Sequence, residues 1–190
     1  MEKDLQKLAH TWITATPEKV EVEGDFYCAS RDVFEAKNAK VPGMLIEKGI
    51  DEGVAYIIYS MLGEIGNNAF DHNVANWPDI MGIFFAVQYD GEKGFAIIAD
   101  RGLGVLHTLR KAAPELQNDQ EALKMAFTKK ISGRILENRG NGLKFVKKNV
   151  TDQNMLLKFY SGDGQVSVNH QLIISRADNF VKGCLIELYF

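Results

Sequence analysis

The sequence has little of several features that mark specialised classes of protein. It contains two cysteines, Cys28 and Cys184, and neither lies in a CxxC or Cys/His pattern, so both are expected to be small buried residues rather than part of a redox or zinc site. Basic residues are not in excess, since 22 Lys and Arg accompany 25 Asp and Glu, which disfavours a nucleic-acid partner. No apolar run approaches the roughly 18 residues of a membrane span.

The sequence also lacks internal repeats, low-complexity tracts and a Pro/Ser-rich linker, so residues 1–190 are expected to form a single domain. With 46% hydrophobic residues, a chain of 190 residues can bury a sizeable core without a metal or disulfide. The charged start, Met1-Glu2-Lys3-Asp4, lacks the apolar stretch of a signal peptide. A cytoplasmic location is therefore expected.

Hydrophobic periodicity predicts a mixture of helices and strands. A helical extension is expected within residues 1–19 and a strand over 19–29, and a long helix begins at the N-cap Asp51 and ends before Trp77-Pro78. The segments 80–89 and 94–99 are apolar, β-rich and joined through Asp90-Gly91, which favours a hairpin.

The second half of the sequence adds helices at 105–112 and 118–131, another helix from Leu143, and three strands within the last forty residues. This order lacks the strict alternation of strand and helix that a doubly wound fold requires. The predicted fold class is α+β, a two-layer α/β sandwich with a mixed, mostly antiparallel sheet and helices on one face.

Three clusters of polar residues and glycines are candidates for a functional site. The first lies in the long helix, where Glu64, Asn68 and Asp71 share a narrow sector at the edge of the apolar stripe and His72 points further into it. Taken alone, the first three are better explained by a solvated helix face, and His72 by a satisfied core histidine.

The second cluster comprises Asp100, Gly102 and Gly104, directly after the apolar run 95–99. A strand would deliver these residues to the edge of the sheet. The carboxylate of Asp100 can accept a hydrogen bond from an amine such as that of adenine, and the glycines let a ligand approach the backbone. A plain glycine-rich turn is an equally good interpretation of this cluster on its own.

The third cluster is Arg139, Gly140, Gly142 and Leu143, immediately before a helix that carries Lys144. Free N–H groups and the helix dipole make such a helix start favourable for a phosphate. Neither a P-loop nor a Rossmann fingerprint fits the spacing of these glycines.

The three clusters, in this order, resemble the motifs of the GHKL ATPases, which share the Bergerat ATP-binding fold. This family includes DNA gyrase, MutL-type repair proteins, heat-shock chaperones of the ninety-kilodalton class, sensor histidine kinases and anti-sigma-factor serine kinases. The resemblance covers about residues 20–190. Glu64 and Asn68-Ala69 are similar to the family's N-box, Asp100, Gly102 and Gly104 to its first glycine box, and Gly140, Gly142 and Leu143 to its second.

Within the family, the N-box of anti-sigma-factor kinases is most similar to this one, judged by Glu64, Asn68-Ala69 and His72. The aspartate at position 71 is instead similar to the residue found in gyrase. The second glycine box departs from the common GxGxGL because Asn138 occupies its first glycine position. No phosphoacceptor helix pair precedes the domain, so histidine autophosphorylation is not expected. A module that acts alone is expected, since no gyrase-type or chaperone-type second domain follows.

The resemblance implies ATP and Mg²⁺ as cofactors, with Asn68 as the metal ligand and Glu64 as the catalytic base. Asp100 would hold the adenine amine, Gly102 and Gly104 would pack against the base, and Gly140 and Gly142 would expose amides to the phosphates. Asp71, His72, Arg139 and Leu143 complete the expected nucleotide-binding set, and residues 105–138 correspond to the ATP lid.

Two functions remain open at this point. One is a regulatory protein kinase or ATPase that uses Glu64, similar to an anti-sigma-factor serine/threonine kinase. The other is a nucleotide-gated module that binds a protein partner without significant turnover. ATP and a regulatory protein are the expected partners, a second copy of the chain is a further candidate, and neither nucleic acid nor a membrane is expected.

Overall fold

The computed structural model describes residues 2–74, 76–129 and 141–190. This part of the chain forms one five-stranded sheet and seven α-helices. In chain order the elements are α1 (Glu2–Thr14), β1 (Tyr27–Cys28), α2 (Arg31–Asn38), α3 (Val41–Glu47), α4 (Glu52–Asn73), β2 (Ile83–Tyr89), β3 (Gly94–Asp100), α5 (Gly104–Arg110), α6 (Asp119–Thr128), α7 (Gly142–Asp152), β4 (Leu156–Val168) and β5 (Leu172–Tyr189).

The strands lie in the order β1-β2-β3-β5-β4, and every described pair is antiparallel. The β2–β3 hairpin turns at Asp90-Gly91 as expected, with Gly91 at φ 106°. The chain is therefore α+β, and the predicted two-layer sandwich is confirmed. The last part of the chain forms two long strands rather than three, because register shifts around Gly162 bend the β4–β5 ribbon without ending either strand.

One face of the sheet carries most of the helices. The long helix α4 follows the predicted period, with Asp51 as its N-cap, whose side chain accepts a hydrogen bond from the Val54 N–H at 3.1 Å. Its buried stripe packs against inward residues of β2, β3 and β5. The main core on this face includes Ile58, Leu62, Ile65, Phe34, Phe85, Ile98, Leu123, Phe127, Val146, Leu157 and Ile186.

The opposite face of the sheet is covered by α1, so the expectation that the helices lie on one face does not hold for this helix, which adds a partial third layer. Ala9, Trp12 and Ile13 are buried against side chains of β2, β3 and β5, including Phe84 and Ile97. The helical extension expected within residues 1–19 is therefore part of the folded domain. Its apolar residues recur at helical spacing, which gives α1 one buried face.

Two local expectations differ from the structure. The strand expected over residues 19–29 is reduced to Tyr27–Cys28, because Pro17–Lys19 forms a 3₁₀ turn and the Tyr27 N–H turns back to the Gly24 carbonyl at 3.0 Å. The short helices α2 and α3 were not predicted. Each has eight residues or fewer, too few for a clear helical period.

Candidate functional site

The C-terminal half of α4 carries the first predicted cluster. Glu64 is exposed to solvent, whereas Asn68, Asp71 and His72 are partly buried. Asp71 forms an ion pair with Arg31 at the start of α2, and this pair ties the two helices together. The polar edge predicted for α4 is therefore present, with Glu64 its most accessible member.

Gly142, the first residue of α7, lies directly against this edge. A Cβ atom built on Gly142 would come within 2.5 Å of Glu64 Oε2 and 3.5 Å of Asn68 Nδ2. A side chain at this position would displace the carboxylate at the end of the flexible, exposed Glu64 side chain, so Gly142 leaves that carboxylate beside the start of α7. The following residue, Leu143, packs against the main core and holds the helix start in place. Arg139 and Gly140 lie outside the described residues.

The second predicted cluster begins at the end of β3 with Asp100, which is 3% exposed. Its Oδ1 accepts a hydrogen bond from the Gly102 N–H at 2.8 Å. Burial raises the pKa of Asp100 to about 6, although hydrogen bonds from Gly102 and Cys184 act in the opposite direction. Asp100 is thus a buried carboxyl group that holds its proton more tightly than an exposed aspartate does.

Asn73, in the last turn of α4, connects that helix to the loop after Asp100. Its Nδ2 donates to the Ala69 carbonyl at 2.8 Å, and its Oδ1 accepts from the Leu103 N–H at 2.9 Å. Gly102 packs so closely on this amide that a Cβ atom there would overlap Asn73. The buried side chain of Asn73 therefore holds the Gly102–Leu103 loop against the last turn of α4.

Gly104 begins α5 and needs the conformational freedom of glycine, since its φ is 78°. A Cβ atom here would lie 2.9 Å from Ser161 Oγ. That buried hydroxyl accepts from the Val105 N–H at 3.0 Å and donates to the Gly183 carbonyl at 2.9 Å. The loop is therefore also attached to the two long strands.

The three contacts show how the predicted clusters are brought together. α4 contacts Gly142 through Glu64 and Asn68, and it contacts Gly102 through Asn73. Residues 64 and 73 are about 14 Å apart along the helix axis, at 1.5 Å per residue. At 3.6 residues per turn these nine residues make two and a half turns, so Glu64 and Asn73 project from opposite sides of α4. The two glycine segments therefore contact the same helix from different sides.

The described part of the expected lid contains two helices, α5 and α6. They form a small apolar cluster of their own through Leu109, Leu116 and Ala122, while Leu123 and Phe127 of α6 join the main core. Residues 130–138 of the expected lid lie outside the described residues. The role of residues 105–138 in closing over a nucleotide stays a prediction.

An open cavity of about 650 Å³ lies elsewhere, between the start of α6 and the β4–β5 ribbon. Asp119, Asp163, Arg176 and Phe180 are among the residues that line it. Residues of the expected lid, among them Leu106 and Asp119, line this cavity, whereas none of the other predicted site residues that the structure describes does so. It is therefore separate from the α4 contacts.

Several residues that build the site were missed in the sequence. Asn73 follows the apolar residues Ile65 and Ala69 at four-residue intervals, so the sequence places a polar side chain on the buried stripe of α4. A polar residue in that position was the signal that could have identified it. Gly183 interrupts an apolar strand, which indicates a close approach of the backbone. A Cβ atom added at Gly183 would lie 2.7 Å from Asp100 Oδ1. Ser161 carried no signal of its own.

Comparison with protein-family models gives no match, and no curated protein matches the chain significantly. Within residues 2–74, 76–129 and 141–190, no three His, Cys, Asp or Glu side chains are grouped so that they could hold a metal ion by themselves. No helix in these ranges is long and apolar enough to cross a membrane.

Proposed function

We propose that this protein is an ATP- and Mg²⁺-binding domain of the GHKL type that acts as a regulatory protein kinase or ATPase. The observation that carries the proposal is the contact of one helix, α4, with both glycine segments. Asp100, which precedes Gly102 of the first glycine segment, is buried. Glu64 and Asn68 lie next to Gly142 of the second glycine segment. These residues provide an adenine acceptor at one end and polar oxygens at the other.

At the adenine end, Asp100 is buried. One carboxylate oxygen is fixed by the Gly102 N–H. A buried carboxylate is a strong acceptor for the exocyclic amine of adenine, because no water competes for it. Guanine presents a carbonyl at the corresponding position, so GTP is expected to bind poorly.

At the phosphate end, Gly142 opens an eleven-residue helix, and the side chain of its N-cap residue Asn141 does not cap the first N–H groups. Such a helix start favours an anion, and the partly buried Lys144 adds a positive charge in the first turn. The Asn68 carboxamide supplies an oxygen of the kind that Mg²⁺ prefers, and the remaining ligands would come from phosphates and water. Bound ATP would supply the phosphoryl group for transfer.

Glu64 is the residue that distinguishes catalysis from binding. It is exposed and lies one helical turn from Asn68, on the side of α4 that faces Gly142. A carboxylate in this position is suited to orient or deprotonate an attacking water or hydroxyl. We therefore assign Glu64 as the general base.

A nucleotide-gated binding module is the second candidate, and the start of α5 favours it. Gly104 is both the last glycine of the first segment and the first residue of α5, and the next N–H is bonded to Ser161. A ligand that shifts this loop would shift α5 and the surface that α5 and α6 present. Such a module needs no turnover.

Titration calorimetry with ATP and Mg²⁺ tests nucleotide binding, and GTP is the control ligand. Asn68→Ala should weaken Mg²⁺-dependent ATP binding and lower any turnover together. Glu64→Gln should leave binding nearly unchanged and lower ATP hydrolysis, or phosphorylation of a partner, by roughly a hundredfold or more.

Glu52→Gln is the matched control, because it removes an exposed charge from the first turn of the same helix, far from Gly142. Absence of ATP binding in the wild-type protein would refute the proposal. ATP binding without measurable turnover by the wild type would leave the binding module as the function. Equal, measurable turnover by wild type and Glu64→Gln would refute Glu64 as the general base.

A further inference from the structure

We propose that Arg101 is a positioning residue that couples the docking of helix α1 to the Gly102–Gly104 loop. This inference rests on the proposed function only for its nucleotide-binding part. Arg101 lies between Asp100 and Gly102, yet its side chain runs to the opposite face of the sheet and reaches α1. The loop and the helix are thereby joined through one residue.

The contacts of Arg101 are extensive for a side chain that is 2% exposed. Its Nη1 donates to the carbonyls of Trp12 and Ile13, both at 2.8 Å. Its Nε and Nη2 donate to the two oxygens of Asp79 at 3.2 and 2.7 Å. Trp12 and Ile13 lie in the last turn of α1, where carbonyls lack partners within the helix, so Arg101 acts as the cap of α1.

The ion pair fixes Arg101 firmly. Although burial acts to raise the pKa of Asp79, hydrogen bonds from Arg101 and Lys182 hold that pKa well below its usual range. Lys182 Nζ lies 2.6 Å from Asp79 Oδ2. Because a buried guanidinium without its partners is strongly unfavourable, Arg101 is not free to swing away when either α1 or the loop shifts.

The other side of the same backbone segment is equally constrained. Gly183 follows Lys182 in β5 and approaches Asp100 and Gly102 so closely that its Cβ atom would lie 2.7 Å from the Gly102 nitrogen. Lys182 thus contacts the α1 side of the sheet and Gly183 the loop side. A displacement of Arg101 must therefore move the loop that carries the Gly102 and Leu103 N–H groups.

Two linked equilibria follow from this arrangement. If undocking of α1 disturbs the loop and lowers the affinity for ATP, then ATP must favour the docked helix by the same factor. A purely structural role for Arg101 predicts a loss of stability but no such reciprocity. The coupling is therefore measurable in both directions.

Hydrogen exchange in the full chain provides the test. Ala9→Glu places a charge in the buried face of α1, and Thr11→Glu places the same charge on its exposed face. Ala9→Glu should accelerate exchange of the Gly102 and Leu103 amides at least tenfold and weaken ATP binding about tenfold. Thr11→Glu should do neither.

In the wild-type protein, Mg²⁺ with ATP should slow exchange across the last turn of α1, and Arg101→Lys should abolish this slowing. ATP binding without slower exchange in α1 would overturn the coupling, even if Ala9→Glu fails to fold. If wild type does not bind ATP, the proposed function fails, and the exchange of the Gly102 and Leu103 amides in Ala9→Glu alone decides the coupling. Equal exchange in both variants would then refute it.

Discussion

Replacing Gly102 with alanine tests the central contact of the site without any ligand. The added methyl group would come well within 3.0 Å of the Asn73 carboxamide, a separation that real Cβ atoms essentially never show. Asn73 is 4% exposed and hydrogen-bonded at both ends, to the Ala69 carbonyl and to the Leu103 N–H. It cannot move aside without losing at least one of these bonds.

The size of the effect follows from these two consequences. Overpacking a tight site by one methyl group costs about 1 to 3 kcal/mol. A buried polar group that loses its partner costs about 1 to 3 kcal/mol more. Gly102→Ala should therefore lower the free energy of unfolding by roughly 4 kcal/mol and reduce Tm by about 8 to 16 °C for a domain of this size.

Urea unfolding and calorimetry measure this loss, and Gly43→Ala is the matched control. Apart from its chain neighbours and the backbone of α3, a Cβ at Gly43 would meet no described atom within 4 Å, so alanine there should be neutral or stabilising by up to about 1 kcal/mol. In the double variant Asn73→Ala/Gly102→Ala the steric part of the loss should be recovered. A Gly102→Ala protein as stable as Gly43→Ala would refute the packing argument.

Three further outcomes are expected. Because the pKa of Asp100 is raised to about 6, adenosine, which has no phosphate to titrate, should bind more weakly to wild type as the pH falls through 6, and calorimetry should find this pH dependence absent in Asp100→Asn. Asp79→Asn leaves buried Arg101 without its carboxylate and should cost about 3 to 5 kcal/mol in urea unfolding, whereas a loss below 1 kcal/mol would show that the pair is not important. In the wild type the contribution of the lowered pKa of Asp79 is present above pH 3.8 and is lost on further acidification. Gly66→Ala would drive a methyl group into the ring of Phe34 and should destabilise the protein by about 1 to 3 kcal/mol, with retained Tm as the contradicting result.

The main elements of the fold were predictable where periodicity was long or turn chemistry was specific. α4 spans 22 residues with a clean apolar stripe, and the β2–β3 turn contains Asp90-Gly91. The position of α1 was not predictable, because the apolar pattern of an amphipathic helix shows that one face is buried but not which face of the sheet it packs against. The last turn of α1 is bonded by Arg101, which is distant in sequence from both Trp12 and Asp79.

For the candidate site, the sequence identified residues that approach one another but not those that hold them. Glu64 and Gly142 were predicted on motif grounds, and the structure places them side by side. Asn73 and Ser161 were missed, since a single buried amide or hydroxyl has no spacing pattern. Their importance arises from tertiary hydrogen bonds to the Leu103 and Val105 N–H groups.

The position of β5 in the sheet constrains the order in which this protein can fold. β5 lies between β3 and β4, although it is the last of the described strands to be synthesised. Until the residues of β5 leave the ribosome, one edge of β3 is unpaired, because Asp100 and its neighbours pair with β5, for example Asp100 with Cys184. During the same period β4 has no partner among the described strands. Open edges recruit other chains, so loss of a few residues from β5 should yield aggregates rather than a smaller folded domain.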